Sequence, residues 1–305
     1  MRSMTIQKSL SLRAWAELGL LSLIWGGSFL SIRIALDEIP LVTSVAYRVG
    51  IAALLLWAVI LWRGTAVPRD LRLWGAFLVM GLLNNVLPFS LMAWGQLHIE
   101  TGLTSILNAA TAVFGVVVAA LVFADERLTL NRGLGVALGF LGVATAIGLH
   151  NFRHFDLQSL AQLAVIAGTV SYAFAGAWAR MHLKGLAPEV AAAGMLTASS
   201  LVMIPGALMF DGVPTALPSG TAMLAVGYYA LVATAFAYLL YYRVLAAAGS
   251  GNLMLCTLLV APVAITLGAL VRGEALPGYA FLGFGLLALG LIVLDGRLTR
   301  RLLSG

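Results

Sequence analysis

The hydrophobic pattern of the chain consists of long apolar runs separated by short polar connections. At 1.5 Å per residue, each run is long enough to cross, or nearly cross, ~30 Å of hydrocarbon. The alternation of apolar and polar residues that marks the strands of membrane barrels is absent. The pattern therefore predicts an all-α, polytopic membrane protein with ten transmembrane helices. The predicted spans are residues 14–34, 42–62, 73–94, 102–123, 133–149, 157–179, 190–210, 221–242, 253–271 and 279–294.

The composition supports lipid as the main solvent. Of 305 residues, 61% are hydrophobic and 10% are charged, against about 45–50% and about 25% in soluble domains. Mean hydropathy is +1.01. A cytosolic enzyme and a nucleic-acid-binding protein are both disfavoured, although the isoelectric point is near 9.8. The single cysteine, Cys256, excludes an internal disulfide and lies in an apolar run, so it is interpreted as a small buried residue. No pattern predicts a cofactor or a metal site.

The distribution of Lys and Arg predicts the orientation in the membrane. The N-terminal segment is interpreted as leading into a retained first span, because it lacks a small-residue cleavage site. With the N-terminus inside, most basic residues fall on the inner side, which favours cytoplasmic termini. The inner set is Arg2, Lys8, Arg13, Arg63, Arg69, Arg72, Arg127, Arg132, Arg180, Lys184, Arg243, Arg297, Arg300 and Arg301; the outer set is Arg33, Arg153 and Arg272.

The chain contains an internal repeat with an offset of 148 residues. Pro40 coincides with Pro188 at this offset, and Glu126 coincides with Glu274. Two glycine pairs coincide as well, at Gly135/Gly283 and Gly142/Gly290. Because five spans is an odd number, the second half must enter the membrane from the opposite face, which predicts inverted repeats. The predicted organisation is a cytoplasmic tail 1–13, a first repeat 14–149, a second repeat 150–295 and a cytoplasmic tail 296–305.

Each half ends with small residues, an apolar run, a Glu and a Gly-rich helix. The two segments read GLTSILNAATAVFGVVVAALVFADERLTLNRGLGVALGFLGV and GNLMLCTLLVAPVAITLGALVRGEALPGYAFLGFGLLALGL. Together with LIWGGSFLSIRIAL and AYRVGIAALLL near the start, they resemble the paired EamA modules of the drug/metabolite transporter superfamily. The family's proline appears as Pro262 in the second half and is missing at ATAVFG in the first. The resemblance implies ten helices and inverted five-helix repeats. Within the superfamily the chain most resembles bacterial amino-acid exporters of the YddG type.

Few ionisable residues lie within the predicted spans. Glu17 is about one turn into the first span, and no Asp or Glu lies near the middle of any span. Since mid-membrane carboxylates usually carry coupling protons and bind cations, a proton-coupled antiporter of organic cations is disfavoured unless Glu17 reaches a cavity. Arg48 is the only basic residue clearly within a span. It is interpreted either as a carboxylate-binding cation or as a structural residue, which anchors helix-end carbonyls or pairs with Asp37 or Glu38.

The third span carries an unusual polar turn. Asn84 and Asn85 point about 100° apart on a helix, and both cannot face lipid cheaply. Pro88 removes a backbone hydrogen bond and frees the carbonyl of Asn84. These residues are predicted either to bind substrate or to join helices at a kink that bends during gating.

Aromatic and small polar residues complete the predicted substrate site. Rings and few charges suit an apolar side chain, although core packing is the alternative for each of them. The predicted substrate-binding set is Trp25, Ser28, Arg48, Asn84, Asn85, Trp94, Asn108, Tyr172, Tyr238 and Tyr242, with Pro88 as a gating residue. Small faces at Gly135, Gly139, Gly283 and Gly290 are predicted to pack as a scaffold or as a dimer seam. Glu126 and Glu274, with Arg127 and Arg272 beside them, are predicted to brace their own hairpins.

The favoured function is export of small metabolites, first among them neutral or aromatic amino acids, across the bacterial inner membrane by alternating access. The alternative is a multidrug or other metabolite exporter. A membrane-embedded enzyme is less favoured, because the sequence has no HExxH, no GxSxG and no paired carboxylates within the spans. Expected partners are a small-molecule substrate, the lipid bilayer and, as an open alternative, a second copy of the chain; nucleic acid is not expected.

Overall fold

The computed structural model describes residues 12–124, 129–148, 157–248 and 255–295, and within them it leaves the side chains of residues 242, 245–248, 255, 258 and 295 undescribed. Across these ranges all regular structure is helical. The first half contains α1 (Leu12–Ala35), α2 (Leu41–Arg63), α3 (Leu71–Gln96), α4 (Thr101–Val122) and α5 (Leu130–Ile147). The second half contains α6 (Leu157–His182), α7 (Pro188–Phe210), α8 (Gly220–Gly227, Tyr228–Phe236 and Ala237–Ala248), α9 (Leu255–Arg272) and α10 (Gly278–Asp295).

These ten helices confirm the predicted all-α polytopic fold. Within the described ranges, eight are long and apolar enough to span a bilayer, and α9 and α10 contain the shorter apolar stretches Leu259–Arg272 and Gly278–Leu294. The outer surface is apolar: Leu54, Leu201 and Leu224 are each more than 70% exposed. Such a surface is stable only against lipid. Observed helix ends lie within a few residues of the predicted ones, except that α8 continues to Ala248.

The two halves are interlocked. Helix α1 packs mainly on α8 and α9 of the second half, and α6 packs mainly on α3 and α4 of the first. We call these groups the α1 bundle (α1, α8, α9) and the α6 bundle (α6, α3, α4). Helix α2 packs on α7 between the bundles, and α5 packs on α10. Exchanging each helix with the one five places along the chain leaves these main pairings unchanged, as two five-helix repeats require. Because each repeat has an odd number of helices that cross the bilayer, the second repeat is inverted relative to the first.

The core is centred where α2 crosses α7. Leu56 and Leu196 are completely buried there, together with the Phe77 ring of α3. A Cβ at Gly194 would lie 2.4 Å from that ring, so only glycine allows the close approach. The Trp57 indole donates a hydrogen bond to Thr197 Oγ1 at 2.8 Å and joins the two helices.

Glycines mark the ends of α2 and α7. Gly64 and Gly212 have φ of 62° and 81°, the left-handed conformation that closes helix C-termini and that other residues adopt with strain. They are separated by the same repeat offset of 148 residues. Each half therefore ends its second helix in the same way.

The α5–α10 pair is packed through glycine. A Cβ on Gly142 would lie 2.5 Å from the backbone nitrogen of Leu287 and 2.8 Å from the carbonyl oxygen of Gly283. A Cβ on Gly290 would lie 2.7 Å from the backbone nitrogen of Gly139. Because the small faces meet each other inside one chain, a contact between two copies would have to use another surface.

Helices α3 and α8 are irregular at equivalent depths. In α3 the residues Leu82–Val86 form a π-helical segment, and in α8 the π-helical segment is Tyr228–Phe236. Shifted by 148 residues, the first segment falls inside the second. Helix α4 is interrupted at Ala109 and Ala110, even though the family's proline is missing there. Both halves thus contain a π-helical turn near the membrane centre, and such turns often accompany functional sites.

We name the two ends of the helices by the start of α1. The N-face contains the start of α1, the end of α2 and the end of α8. The distal face contains the α1–α2 connection, the start of α4 and the end of α9. These names carry no assignment to a cell compartment.

Candidate substrate site

Arg48 lies in the middle of the helix assembly, on α2. Its Nε donates a hydrogen bond to Thr234 Oγ1 of α8 at 2.9 Å. Its guanidinium carbon lies 3.6 Å from the centre of the Phe89 ring of α3. Tyr172, Tyr229 and Tyr238 lie in the surroundings of the guanidinium group. Seven helical residues, about 10 Å, separate Arg48 from the start of α2. The site is therefore well inside the apolar layer.

No carboxylate among the described residues lies within ion-pair distance of Arg48. The two partners considered from the sequence are engaged elsewhere. Asp37 pairs with Arg33 at 2.6 Å and with Arg272 at 2.7 Å, and Glu38 accepts hydrogen bonds from Ser219. A guanidinium has five N–H donors. The hydroxyl and the ring face satisfy it only in part, so Arg48 retains the capacity to bind an anionic group.

The π-helical segment of α8 positions the hydroxyl that Arg48 contacts. Thr234 Oγ1 donates a hydrogen bond to the carbonyl of Tyr229, five residues earlier, at 2.7 Å. The Tyr229 hydroxyl lies 2.9 Å from Ser44 Oγ of α2. On a regular α-helix, residues five apart point in different directions, so the wider winding is what brings Thr234 and Tyr229 to the same side. Neither residue was predicted, because the helical period used to read the sequence hides this pairing.

A second cluster of hydrogen-bonded side chains adjoins the cluster around Arg48, and Tyr238 belongs to it. Asn84 Nδ2 donates to the Tyr238 hydroxyl at 2.9 Å, and that hydroxyl donates to Asn85 Oδ1 at 3.2 Å. Asn85 Nδ2 donates to Ser199 Oγ of α7 at 3.0 Å, and the Asn85 side chain is completely buried. Three helices are thereby joined by hydrogen bonds at the membrane centre. Asn85 is engaged in structure, while Asn84 is partly accessible.

Pro88 lies two residues after the end of the π-helical segment of α3. The Leu83 carbonyl in that segment accepts a hydrogen bond from Ser171 Oγ of α6 at 2.7 Å. Side chains of a neighbouring helix thus satisfy backbone groups that the irregular winding leaves free. In α8 the equivalent segment forms without a proline, since Phe236 stands at the equivalent position.

The other predicted residues make their described contacts with groups other than Arg48, or their side chains lie outside the described residues. Trp25 donates to the Ala233 carbonyl at 3.2 Å, and Ser28 donates to the Trp25 carbonyl at 2.7 Å, both within the α1 bundle. Trp94 packs edge-on against His98, 5.0 Å between ring centres, near the distal face. Asn108 lies at the α4 interruption, where its carbonyl accepts a hydrogen bond from Thr111. Tyr242 belongs to α8, but its side chain lies outside the described residues.

The side chains of Arg48, Asn84, Asn85 and Tyr238 form a polar layer across the helix assembly. Two cavities of very different size lie on either side of this layer. A narrow gap of ≈ 10 Å³ adjoins Arg48 and is lined by Ser44, Phe89 and Tyr229, with room for about one water molecule. A cavity of ≈ 410 Å³ lies at the N-face, between the end of α2, the start of α7 and α8. We call them the central gap and the N-face cavity.

The N-face cavity carries three charged residues at its rim. Arg63 Nη1 lies 3.6 Å from Glu189 Oε1. Arg243 Nη2 donates to Glu17 Oε1 at 2.5 Å, and Glu17 also contacts Arg13. Glu17 is therefore held in ion pairs beside the cavity. Within the described residues, no group of three His, Cys, Asp or Glu side chains is arranged to hold a metal ion.

At the distal face the two bundles are joined by Glu274. Its Oε1 accepts a hydrogen bond from Thr101 Oγ1 at 2.8 Å, and its Oε2 accepts one from the Gly102 amide at 3.4 Å. Thr101 is the first residue of α4, where free N–H groups and the helix dipole favour an anion. The predicted brace between Glu274 and Arg272 within one hairpin is wrong, because Arg272 binds Asp37 instead. Glu126 and Arg127 lie outside the described residues.

Comparison with known proteins agrees with the architecture. The sequence profile of the EamA-like transporter family matches residues 15–148 and again residues 159–294. The chain is similar to the uncharacterized inner membrane transporter YedA of Escherichia coli strain K12, with 26% identity over 211 residues, 69% of this chain and 67% of that protein. It is 27% identical over 258 residues, 84% of each chain, to a probable terminal-alkyne amino-acid exporter of Streptantibioticus cattleyicolor. A solved structure with 20% identity superimposes with a TM-score of 0.66 over 92% of this chain and 96% of its own. The two profile matches cover nearly the whole chain, which therefore belongs to the EamA-like transporter family.

Proposed function

We propose that the protein exports small metabolites, foremost neutral or aromatic amino acids, across the bacterial inner membrane by alternating access. The observation that carries this proposal is Arg48, a cation in the apolar layer without a carboxylate partner among the described residues. A charged side chain at the centre of a membrane helix costs about 2.5–3.5 kcal/mol on insertion scales. A substrate carboxylate would offset this cost.

The surroundings of Arg48 favour a zwitterion with an apolar side chain. The partly exposed ring of Tyr172 offers apolar contact, and aromatic rings also attract cations weakly. The partly accessible Asn84 provides an amide oxygen for an ammonium group. A drug-like organic cation would meet the positive charge of Arg48 unpaired, so a multidrug exporter is the weaker candidate. An amino-acid exporter among the relatives supports the choice of substrate class.

The asymmetry of the structure supports alternating access. The first part of α4 contacts α1 and α9 at the distal face, which brings the two bundles together there. The N-face has the large cavity. Because the repeats are inverted and similar in packing, exchanging the two arrangements would close the N-face and open the distal face. A fixed channel would not need this difference.

In the proposed export cycle the N-face is cytoplasmic. The excess of Lys and Arg in connections on that side supports this orientation. Two of the three basic residues on the other side, Arg33 and Arg272, are paired with Asp37, which lowers the positive charge there further. We therefore place both termini in the cytoplasm and retain the division into repeats 14–149 and 150–295. In the proposed homodimer, the two copies of the chain contact each other through surfaces other than the α5–α10 glycine faces.

The proposal is tested by flux measurements in proteoliposomes. Purified protein should carry radiolabelled L-leucine or L-phenylalanine saturably, and Arg48→Gln should lower kcat/KM for these substrates about ten-fold or more, as expected for a lost charge-assisted hydrogen bond. Arg48→Lys, which keeps the charge, should lose less. An amine without a carboxylate, such as 3-methylbutylamine, serves as the control substrate. Equal loss for leucine and the amine would mean that Arg48 is structural, and linear, unsaturable flux would indicate a channel.

A further inference from the structure

We propose that the N-face cavity is a first binding site, where a zwitterionic amino acid with an apolar side chain is held before it reaches Arg48. This inference rests on the proposed function and adds a site that the family match does not assign. The two sites would act in sequence along one route, with the polar layer of Asn84 and Tyr238 between them.

The size of the two cavities separates the two steps. The central gap, at ≈ 10 Å³, has no room for an amino acid in the conformation described. The N-face cavity, at ≈ 410 Å³, falls within the range of about 300–1,000 Å³ that is usual for small-molecule sites. Of these two cavities, only the larger can therefore hold a substrate that arrives while the distal face is closed. Entry to Arg48 then requires the central helices to move.

The charges at the rim match a zwitterion. Arg63 and Arg243 line the same cavity as Glu189. The contacts that Glu189 accepts are long, 3.6 Å from Arg63 and 3.5 Å from Thr65, so its carboxylate is available for an ammonium group. Arg243 uses one nitrogen for Glu17, and no other contact of its guanidinium is formed with the residues that the structure describes. A substrate carboxylate would lie between the two arginines and its ammonium group beside Glu189.

The opposite wall of the cavity is apolar. Phe236, Leu239 and Leu240 lie on one face of α8, together with Arg243. The spacing of three, four and seven residues places them in a stripe that runs from the rim toward the membrane centre. Phe236 lies about 10 Å deeper than Arg243 along the helix, two residues from Thr234, which contacts Arg48. The stripe thus suits an apolar side chain and leads toward the central site.

An anionic lipid headgroup offers the same anion chemistry to the two arginines. The shared feature is a carboxylate or phosphate between Arg63 and Arg243. Glu189 favours the amino acid, because it would repel a lipid phosphate and attract an ammonium group. The experiment therefore compares two lipid compositions.

The test measures equilibrium binding of radiolabelled L-leucine to the full chain in phosphatidylcholine nanodiscs, with flux measured in parallel. Arg63→Gln should raise Kd about ten-fold or more, as expected for loss of a charge-assisted hydrogen bond. Arg48→Gln should abolish most flux and retain this binding. The matched control is Arg72→Gln, an exposed arginine of the same face that does not line the cavity, and it should bind as wild type. Equal Kd values for Arg63→Gln and Arg72→Gln would overturn the proposal.

A second variant keeps the test valid if Arg63→Gln does not fold. Glu189→Gln should weaken binding of leucine and leave binding of 4-methylpentanoate, which has the same side chain and carboxylate but no ammonium group, within two-fold. Equal weakening of both ligands would overturn the assignment of Glu189. A difference between Arg63→Gln and wild type that appears only when phosphatidylglycerol is added would show a lipid site and overturn the proposal. Absence of leucine flux in the wild type would instead remove the proposed function itself.

Discussion

Glu274, just after α9, accepts a hydrogen bond from Thr101, the first residue of α4, across 173 positions of the chain. Other carboxylates also join the two halves. Asp37 and Glu38 bind Arg272 and Ser219 within the α1 bundle, and Asp211 binds Thr43 between α2 and α7. Among the described contacts of this kind, the one made by Glu274 connects the α1 bundle to the α6 bundle. We therefore expect this contact to break when the distal ends of the two bundles separate.

Weakening this contact should open the distal face. Glu274→Gln keeps an acceptor oxygen but loses the charge, and charged hydrogen bonds are roughly twice as strong as neutral ones. A loss of about 1 kcal/mol would raise the open population about five-fold. Labelling of Ile265→Cys in a Cys256→Ser background with an impermeant maleimide measures this, since Ile265 packs against Gly102 of α4.

The control for that experiment is Glu100→Gln. Glu100 precedes Thr101 directly and makes no side-chain cap hydrogen bond to α4. Its neutralisation changes the local charge equally and should leave the labelling rate unchanged. Equal rates in wild type and Glu274→Gln would show that Glu274 does not hold the distal face closed.

The glycine contact between α5 and α10 should tolerate no side chain. Gly142→Ala places a methyl group 2.5 Å from the backbone of Leu287, and overpacking of this kind costs about 1–3 kcal/mol. The thermal midpoint in detergent should fall by several degrees. Gly133→Ala, at a position of α5 with nothing within 4 Å, should leave stability unchanged or raise it slightly, since alanine favours helix. Equal midpoints for the two variants would contradict the close contact.

Pro88→Ala should slow transport more than it weakens binding. An alanine restores an N–H to α3 beside the π-helical segment Leu82–Val86 and favours regular winding. The helix should become more stable while kcat falls, with the substrate KM within about two-fold of wild type. Pro205→Ala is the control, because Pro205 lies inside α7, exposed and outside any π-helical segment. A parallel fall in kcat for both variants, or a loss of binding equal to the loss of kcat, would argue against a hinge at Pro88.

Acidic pH should weaken the ion pair between Asp37, in the connection after α1, and Arg272, at the end of α9. Burial alone raises the pKa of Asp37, but the hydrogen bond from Arg272 and the charges of Arg33 and Arg272 outweigh it and hold the pKa below its ordinary value. A lowered pKa means that the contact stabilises the fold above the unfolded-state value, about 3.9, and that this contribution is lost as pH falls through the folded-state pKa. Thermal unfolding of wild type and Asp37→Asn should therefore differ by a constant amount from pH 7 to 5. The difference should shrink only at more acidic pH. A difference that already vanished near pH 6 would contradict this account.

The sequence was sufficient for the helices and for the inverted repeat, because span length, the charge distribution and an odd span number are properties of the chain itself. Arg48, Asn84, Tyr172 and Tyr238 were predicted one by one, and the structure brings them to one layer. The partners Thr234 and Tyr229 were not predicted. Their alignment depends on a π-helical turn, which an apolar sequence without a proline does not reveal.

The sequence did not predict the long-range contact in which Glu274 caps the start of α4 either. Arg272 stands two residues before Glu274, which made a local brace the natural expectation. The free N–H groups at the start of α4 provide a better site for the carboxylate, and only the packing of α4 on α9 brings them within reach. The contacts of Trp25, Ser28 and Trp94 could not be predicted for the same reason. Their polarity or ring chemistry was visible in the sequence, but the direction in which each points is set by the helix against which it packs.

The interlocking of α1 with α8 and α9 has a consequence for biosynthesis. Leu18 and Leu21 of α1 are completely buried against helices that the ribosome makes some two hundred residues later. At roughly 5–20 residues per second, the first helix would wait tens of seconds in the bilayer for its partners. If the N-terminal half were expressed alone, that face of α1 would remain exposed to lipid. Two fragments of the protein, divided between α5 and α6, should therefore assemble only when they are expressed together.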